Sequence, residues 1–383
     1  MKKICFLIDS IFSIGGVQRV TAVIAKELAK DWDVTIVTLD EPSKEDKRLY
    51  GLQEAKIHYL YFSYPETPKL KNIRCKTYSY LFRKILPQNR LTSDWYARSS
   101  FPSEKRDALA KELQKGAYDA IIGVHAPLAV RLAACKPQLK GTRLIGWIHN
   151  SYEALFGTGS LYIGPELRKH YEFQLEKLDE TIVLSHDDAR KYHFHVNVIY
   201  NPLTLEPGVP SRGNTKTFLA VGRFSRRHKG FDILIEAFHL FAQTNKEWTL
   251  DIVGEGEEEP IYHEMITKYA LQDRIRIHPF TNHIQSFYSE AQVYVLSSRW
   301  EGMPLVLMEA MSHGLPIISS DMAISKEIMG DYGIYFNNGD VSNLAQQLQH
   351  ATEIDWNSKS KEALNIVKRF DVKHIIEQWR NIL

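Results

Sequence analysis

The chain has 383 residues, of which 44% are apolar and 25% charged, with a net charge of +2. That length exceeds what one hydrophobic core usually supports, so two domains are expected, and the composition excludes fibrous and disordered classes. No run approaches the ~18 consecutive apolar residues needed to cross a bilayer.

Cysteine usage narrows the setting. Cys5, Cys75 and Cys135 are odd in number, far apart and without a Cys-x-x-Cys pair. They support neither a disulfide framework nor a zinc site, and they suit a reducing cytosol. Lys2 and Lys3 precede only Ile4 to Ile8 before Asp9, too short for a signal-peptide core. A cytoplasmic protein, at most peripheral on the inner face of a membrane, is the expectation. Its charge is split: residues 1–205 carry 30 Lys+Arg against 23 Asp+Glu, or +7, and residues 206–383 carry 18 against 23, or −5. The first half is therefore the one expected to meet something anionic.

Ile4 to Asp9 reads as a first strand, followed by Gly15-Gly16 and a helical pattern with Val20, Val23, Ile24 and Leu28 on one face. This is not the Gly-x-Gly-x-x-Gly dinucleotide fingerprint. Spacing leaves two readings open: a plain turn, or glycines that let the backbone approach a phosphate. Strand-like runs follow at Asp33 to Leu39, Ile57 to Phe62, Ala120 to Val124, Leu144 to Ile148, Thr181 to Leu184 and Val196 to Tyr200. Their alternation with helical stretches predicts a parallel sheet covered on both faces. Asp31-Trp32-Asp33 could chelate a divalent metal, but it precedes its strand, and ligands of open α/β sheets gather at the carboxyl ends. No metal site is expected.

Residues 67–106 break the alternation. Lys69, Lys71, Arg74, Lys76, Arg83, Lys84, Arg90 and Arg98 stand against one acid, Asp94, and are interleaved with Tyr78, Tyr80, Phe82, Trp95 and Tyr96. An anionic membrane surface or a pyrophosphate lipid ranks first as partner, a solvated helical face next. Nucleic acid ranks last for want of a recognised motif, and none is expected. His125 and His149 end strands; a lone strand-end histidine is usually structural, whereas two on neighbouring strands can face a ligand.

Pro202, Pro207, Gly208, Pro210 and Gly213 mark a linker. The second half restarts at Phe218 to Val221 and runs through Gly222-Arg223-Phe224-Ser225-Arg226-Arg227-His228-Lys229-Gly230 into a helix over Ile233 to Phe241. Arg223 and Lys229 bracket the loop, so both could reach one diphosphate; a solvated basic loop fits the composition equally well. Arg226 and Arg227 receive no role. Thr249 to Val253 is the next strand, and Gly254-Glu255-Gly256 with Glu257 to Glu259 reads as a solvated acidic turn. Further strands fall at Ile275 to Phe280, Val293 to Leu296, Pro316 to Ser319 and Ile334 to Phe336, and the last helix spans Val372 to Leu383.

After Val293 to Leu296 comes Ser298-Arg299-Trp300-Glu301-Gly302-Met303-Pro304-Leu305, leading through Glu309 to Met311. The reading is strand, tight turn, helix, with Pro304 at the first helical position. Unpaired N–H groups and the helix dipole make such a junction favourable for phosphate. From spacing alone, two glutamates on a solvated face remain an equal reading.

This stretch resembles the Glu-x7-Glu signature of retaining glycosyltransferases of the large GT-B family, family 4 type, which includes sucrose synthases and bacterial glycan-assembly enzymes. The resemblance is specific over the second half and covers the first only in outline. It implies an α/β fold of two Rossmann-like domains facing across a cleft: residues 1–204 joined by the helix 371–383, and residues 205–370. It implies Arg223 and Lys229 as a pyrophosphate clamp, Glu309 on the ribose hydroxyls, and Glu301 with His125 on the donor sugar. Gly15, Gly16, Gly302, Met303, Pro304 and Leu305 would lie along the donor, and Phe280 and Thr281 by its base. His149 is the weaker of the two histidines. The implied activity is retaining transfer of a sugar from a nucleotide donor, a UDP-sugar, to a hydroxyl of a surface glycan or lipid-linked acceptor, without metal or other cofactor. A two-domain sugar-nucleotide epimerase and a non-catalytic membrane-surface binding protein are the alternatives.

Overall fold

Because parallel strands are buried on both faces, they read as continuous apolar runs, and such runs build both halves of this chain. The computed structural model describes residues 1–160, 162–206 and 208–383, so Pro207 of the linker lies outside the described residues. It has two units: Met1–Pro202 with Val372–Leu383, and Leu203–Asp371.

The amino-terminal unit is a parallel sheet of β1 (Lys3–Ile8), β2 (Asp33–Thr38), β3 (Ile57–Tyr61), β4 (Ala120–Val124), β5 (Arg143–Trp147), β6 (Glu180–Val183) and β7 (Asn197–Val198). The strand order is β3-β2-β1-β4-β5-β6-β7. The expected strand over Val196 to Tyr200 shrinks to the two residues of β7, which pairs on one side only, with Ile182 and Val183. Residues 67–106 form the helices Lys69–Lys84 and Arg90–Ser100 and the start of a third, Ser103–Lys115. The carboxy-terminal helix Val372–Ile382 belongs to this unit, with Trp379 packed edge-on against Trp147 at 4.7 Å and Arg380 paired with Asp31. Asp33, at the start of β2, faces His58 instead, so the two aspartates serve different neighbours.

The carboxy-terminal unit repeats the plan with β8 (Thr217–Val221), β9 (Thr249–Val253), β10 (Ile275–His278), β11 (Val293–Leu296), β12 (Ile317–Ser320) and β13 (Ile334–Phe336). Its order is β10-β9-β8-β11-β12-β13, again all parallel. The helix Phe231–Ala242 buries Phe231, Leu234, Phe238 and Phe241 in a core shared with Phe218, Trp248 and Leu250.

Each sheet reverses its winding once, between β1 and β4 in one and between β8 and β11 in the other. Chain leaving these neighbouring strands diverges to opposite faces and opens a crevice at their carboxyl ends, where open α/β sheets hold ligands.

Candidate functional site

The loops after β8 and β11 meet at the second switch point. Gly230 adopts a left-handed φ of 65°, and a Cβ there would lie 2.2 Å from the Ser297 carbonyl oxygen, so only glycine lets the two loops close. Around it the Ser297 hydroxyl donates to the Lys229 carbonyl at 2.8 Å, and the Arg299 N–H donates to that of His228 at 2.7 Å. The Arg299 guanidinium grips Asp232 at 2.9 and 3.1 Å and donates to the Arg226 carbonyl. The His228 ring stacks on Trp300 at 5.0 Å with 11° between the planes.

These contacts bring Lys229 onto Glu301, with Nζ to Oε1 at 2.6 Å. The same oxygen accepts from the Ser298 hydroxyl at 2.7 Å and lies 3.5 Å from His228 Nε2. Burial works against charge on Glu301, but the Lys229 ammonium and His228 outweigh it and hold the carboxyl well below the usual range. Glu301 is thus a fixed carboxylate, and its Oε2 has no partner among the described residues.

Arg223 differs from Lys229. It is exposed and has no hydrogen-bond or ion-pair partner among the described residues. The backbone beside it is fixed: Gly222 N–H donates to the Val253 carbonyl at 3.0 Å, and Phe224 N–H to that of Glu255 at 2.8 Å. The Gly254-Glu255-Gly256 turn is therefore not simply a solvated acidic turn. Its acids Glu255 and Glu257 are exposed, but a Cβ on Gly254 would sit 1.9 Å from the Gly222 carbonyl oxygen, so its glycine backbone is pressed against the Arg223 loop. Glu258 accepts from the Arg226 N–H and faces its guanidinium at 4.0 Å, which gives Arg226 a neighbour that the sequence did not suggest.

The helix after β11 begins at Leu305. Pro304 sits one position earlier than expected, at the N-cap, because its ψ of 105° is extended. Proline has no side-chain acceptor, so the N–H groups of Leu305 and Val306 have no partner among the described residues and are available to an anion. Gly302 is half-buried, and Met303 and Leu305 are buried beneath the turn. Glu309 is buried farther along the helix and accepts from the Tyr288 hydroxyl at 2.9 Å. Burial first, then the charges of Glu309 and Glu301, push the Tyr294 hydroxyl of β11 well above its ordinary pKa, which places both carboxylates around one strand. Phe280 and Thr281 follow β10; Phe280 is exposed, Thr281 Oγ1 accepts from the His283 N–H, and neither touches the Lys229–Glu301 pair.

The first switch point has its own cluster. The loop after β1 is held by Asp40, whose Oδ2 accepts from the Ile11 N–H at 2.8 Å, the Phe12 N–H at 3.3 Å and the Thr38 hydroxyl at 2.7 Å. Burial opposes charge on Asp40, but these bonds and one from Ser10 keep its carboxyl below the usual range. Gly15 N–H donates to the Tyr50 hydroxyl at 2.8 Å, and Gly16 opens the helix Gly16–Leu28. His125 follows β4 with φ 74°, a strained conformation for a residue with a Cβ, and its N–H donates to the Trp147 carbonyl at 2.9 Å. Its ring lies 5.4 Å from that of His149, and burial lowers its pKa against the opposing pull of Asp9 and Asn150. His149 is more deeply buried and driven well below its ordinary pKa. Neither Asp40, Tyr288, Tyr294, Ser298 nor His228 carried a signal in the sequence beyond standing near a motif.

Comparison with known proteins gives a consistent picture. The model of Glycosyltransferase Family 4 matches residues 14–207, and that of Glycosyl transferases group 1 matches residues 215–353. The chain is 27% identical to an uncharacterized glycosyltransferase of Haemophilus influenzae, with 100% of both chains covered. It is 29% identical to a lipopolysaccharide 1,6-galactosyltransferase of Salmonella typhimurium over 33% of this chain and 36% of that one. The structure of Anabaena HepE in complex with UDP-glucose superposes with a TM-score of 0.75 at 19% identity, covering 100% of this chain and 99% of that one.

Proposed function

The chain belongs to glycosyltransferase family 4, and from that premise we propose that it moves a sugar from a uridine diphosphate donor to a hydroxyl of a surface glycan or lipid-linked acceptor, with retention at the anomeric carbon. The observation that carries this reading is the Lys229–Glu301 pair at the β8/β11 switch point, beside an uncapped helix N-terminus and the unpartnered Arg223. Those groups match a diphosphate leaving group. Arg223 supplies a planar fork, Lys229 a point charge, and the amides after Gly302 two further donors. The choice of UDP rests on the relatives: the HepE complex holds UDP-glucose.

In the proposed reaction the bond from the anomeric carbon to the diphosphate oxygen breaks first, and charge builds on the diphosphate. Arg223, Lys229 and the helix amides stabilise it by position and electrostatics, with no reorganisation at the moment of reaction. The acceptor oxygen joins the same face, and its proton passes to the departing phosphate oxygen. Glu301 suits a gripping role better than that of a nucleophile, since Oε1 is committed to Lys229 and Ser298 while Oε2 can accept from a sugar hydroxyl. Glu309 is assigned to the ribose. In the amino-terminal unit His125, Gly15 and Gly16 are the substrate-facing residues of its own switch point. No residue of the scheme calls for a metal.

The basic surface over 69–98 is assigned to an anionic membrane or lipid-linked acceptor. Leu70, Ile73, Tyr80, Ile85, Leu91 and Trp95 are exposed among its charges. No helix among the described residues is long and apolar enough to cross a membrane. Neither the epimerase nor the binding-protein alternative draws support from the relatives, which are glycosyltransferases.

The test is incubation with a panel of sugar nucleotides and candidate acceptors, with NMR analysis of the product linkage. The expected product keeps the donor's anomeric configuration, and Glu301→Gln leaves no sugar-bearing protein in intact-mass spectra. Inversion, or a trapped adduct, overturns the mechanism; no transfer from any sugar nucleotide overturns the function.

A further inference from the structure

Among the described residues, the amino-terminal unit has two cavities that stand apart from the machinery just described. The larger, about 670 Å³, is lined by Arg98, Arg106, Lys136 and Lys177; three of these have a carboxylate, Asp107 at 3.3 Å for Arg106, Asp179 at 2.5 Å for Lys136 and Asp94 for Lys177, and Asp94 itself stands in the wall with Arg98. Its charge is largely spent. The smaller, about 410 Å³, lies between the helix Lys69–Lys84 and the segment from Ser99 to Lys105.

Lys76, Arg83 and Lys105 line this smaller cavity, and no carboxylate does. Among the described residues none of the three has an ion-pair partner: Arg83 bonds the Tyr96 hydroxyl, at 3.2 Å, and feels Glu166 only from beyond ion-pair distance, and Lys105 leans over the Tyr64 ring. Lys71 on the same helix, by contrast, is neutralised by Glu104 at 2.8 Å. Three like charges around one cavity repel one another unless an anion sits among them. The wall also carries the Ser79 hydroxyl and that of Thr67, whose buried Oγ1 has no hydrogen-bond partner among the described residues. Cations together with hydroxyl donors match a tetrahedral, multiply charged anion with several acceptor oxygens better than a flat monovalent carboxylate.

We propose that this cavity is a binding site for a phosphoryl group, a phosphomonoester or diphosphate, and that it seats the phosphate of the acceptor. The inference rests on reading the 69–98 surface as the one that meets an anion, and it adds a defined pocket to that surface. The volume is within the range of small-molecule sites and leaves room for a phosphate with part of what it is attached to.

Cys75 lines the cavity and is partly accessible, whereas Cys5 and Cys135 are fully buried. The alkylation rate of Cys75 in the intact protein therefore reports occupancy of this cavity alone. Inorganic pyrophosphate is expected to slow alkylation at least tenfold relative to sodium chloride of equal ionic strength, and the double substitution Lys76→Gln/Lys105→Gln is expected to abolish that protection. A soluble phosphoryl ligand is the source if pyrophosphate protects. A lipid headgroup is the source if only vesicles with terminal phosphomonoester lipid protect, and phosphatidylglycerol vesicles of equal charge do not. Protection by neither, equal protection by both vesicle types without pyrophosphate protection, or protection that survives the double substitution overturns the proposal. Nucleotide release from the donor, followed in the same samples, separates the two readings. Transfer with no protection removes the pocket and keeps the enzyme; protection with no transfer does the reverse.

Discussion

Positive charge is handled in opposite ways in two regions of this molecule. In the loops after β8 and β11 most of it is locked: Lys229 on Glu301, Arg226 against Glu258 and Arg299 on Asp232, with the exposed Arg223 and Arg227 left over. On the helices Lys69–Lys84 and Arg90–Ser100 it is open: Lys71 and Arg90 are ion-paired, and the other six basic residues between 69 and 98 form no ion pair among the described residues, with Glu166 and Asp94 acting on Arg83 and Arg98 only from farther off. Under the proposed function the two arrangements suit two different tasks. A leaving group is stabilised by charges already held in place, because reorganising them during the reaction would cost part of their benefit. A surface that captures a mobile anion works by a field that reaches about 8–10 Å at physiological ionic strength, and its charges gain nothing from being tied down.

The largest effect should come from breaking the locked pair. Lys229→Ala removes the cation proposed to face the diphosphate and leaves Glu301 buried without its partner. Turnover is expected to fall at least ~100-fold, the scale of losing one preorganised donor. Unfolding should also become easier by ~3–5 kcal/mol, the cost of stranding one member of a buried pair. Arg223→Ala is the control for the comparison: turnover falls, but the urea midpoint stays put, because Arg223 is exposed and holds nothing. Equal midpoints for the two variants would show that the Lys229–Glu301 contact is not a structural lock.

A smaller effect is expected at Glu309. It keeps its place through the helix Leu305–Ser312 and the Tyr288 hydroxyl, so Glu309→Gln should fold normally. Donor affinity should weaken by ~1.5–3 kcal/mol, about 10- to 150-fold in Kd, as when one charge-assisted hydrogen bond to a hydroxyl is lost. An unchanged Kd in calorimetry removes Glu309 from the donor.

The same contrast explains what could be read from the chain. Ala120–Val124 and Val293–Leu296 were legible as strands because burial on both faces leaves only apolar residues; their alternation with helices gave the parallel sheet, and the family resemblance gave the Rossmann-like class. Strand order was not legible, since pairing is decided between segments far apart in sequence. That β8 lies beside β11, and so brings Lys229 to Glu301, appears only in the fold. Glu301 and Lys229 stood out by resemblance, but Ser298, His228, Tyr288 and Asp40 are common residue types whose roles come from what folding places next to them. The glycines at 254 and 256 looked like an ordinary turn because their constraint is a carbonyl on another strand's loop.

The smallest expected effect is a difference in how the units respond to acid. His170 is buried in the amino-terminal unit with Ser93 on its Nδ1 at 2.9 Å and Lys177, Asp94 and Arg83 around it. Burial chiefly, then the Lys177 charge, lowers its pKa to about 4. His149 and His125 in the same unit shift in the same direction, and in the carboxy-terminal unit His313 is lowered. A histidine held neutral in the fold takes up its proton on unfolding. Its contribution to stability is therefore present above the unfolded pKa of about 6.5 and is lost as pH falls towards the folded value, by up to ~1.4 kcal/mol per pH unit for each such group. Asp9 and Asp188, raised by burial, oppose this at the acid end of the window. In the carboxy-terminal unit the depressed Glu301 acts later: its contribution is intact above an unfolded carboxyl pKa of about 4.3 and fades only below it. Between pH 7 and 5 the amino-terminal unit should thus lose more stability, and His170→Asn should remove close to one proton's worth of that slope. Proteolysis in a urea series, with fragments assigned to each unit by mass spectrometry, measures both. Parallel loss in the two units, or an unchanged slope in the variant, would mean that His125 and His149, which follow β4 and β5, and His170 of the helix Arg168–Leu175 do not set the acid limit of their unit.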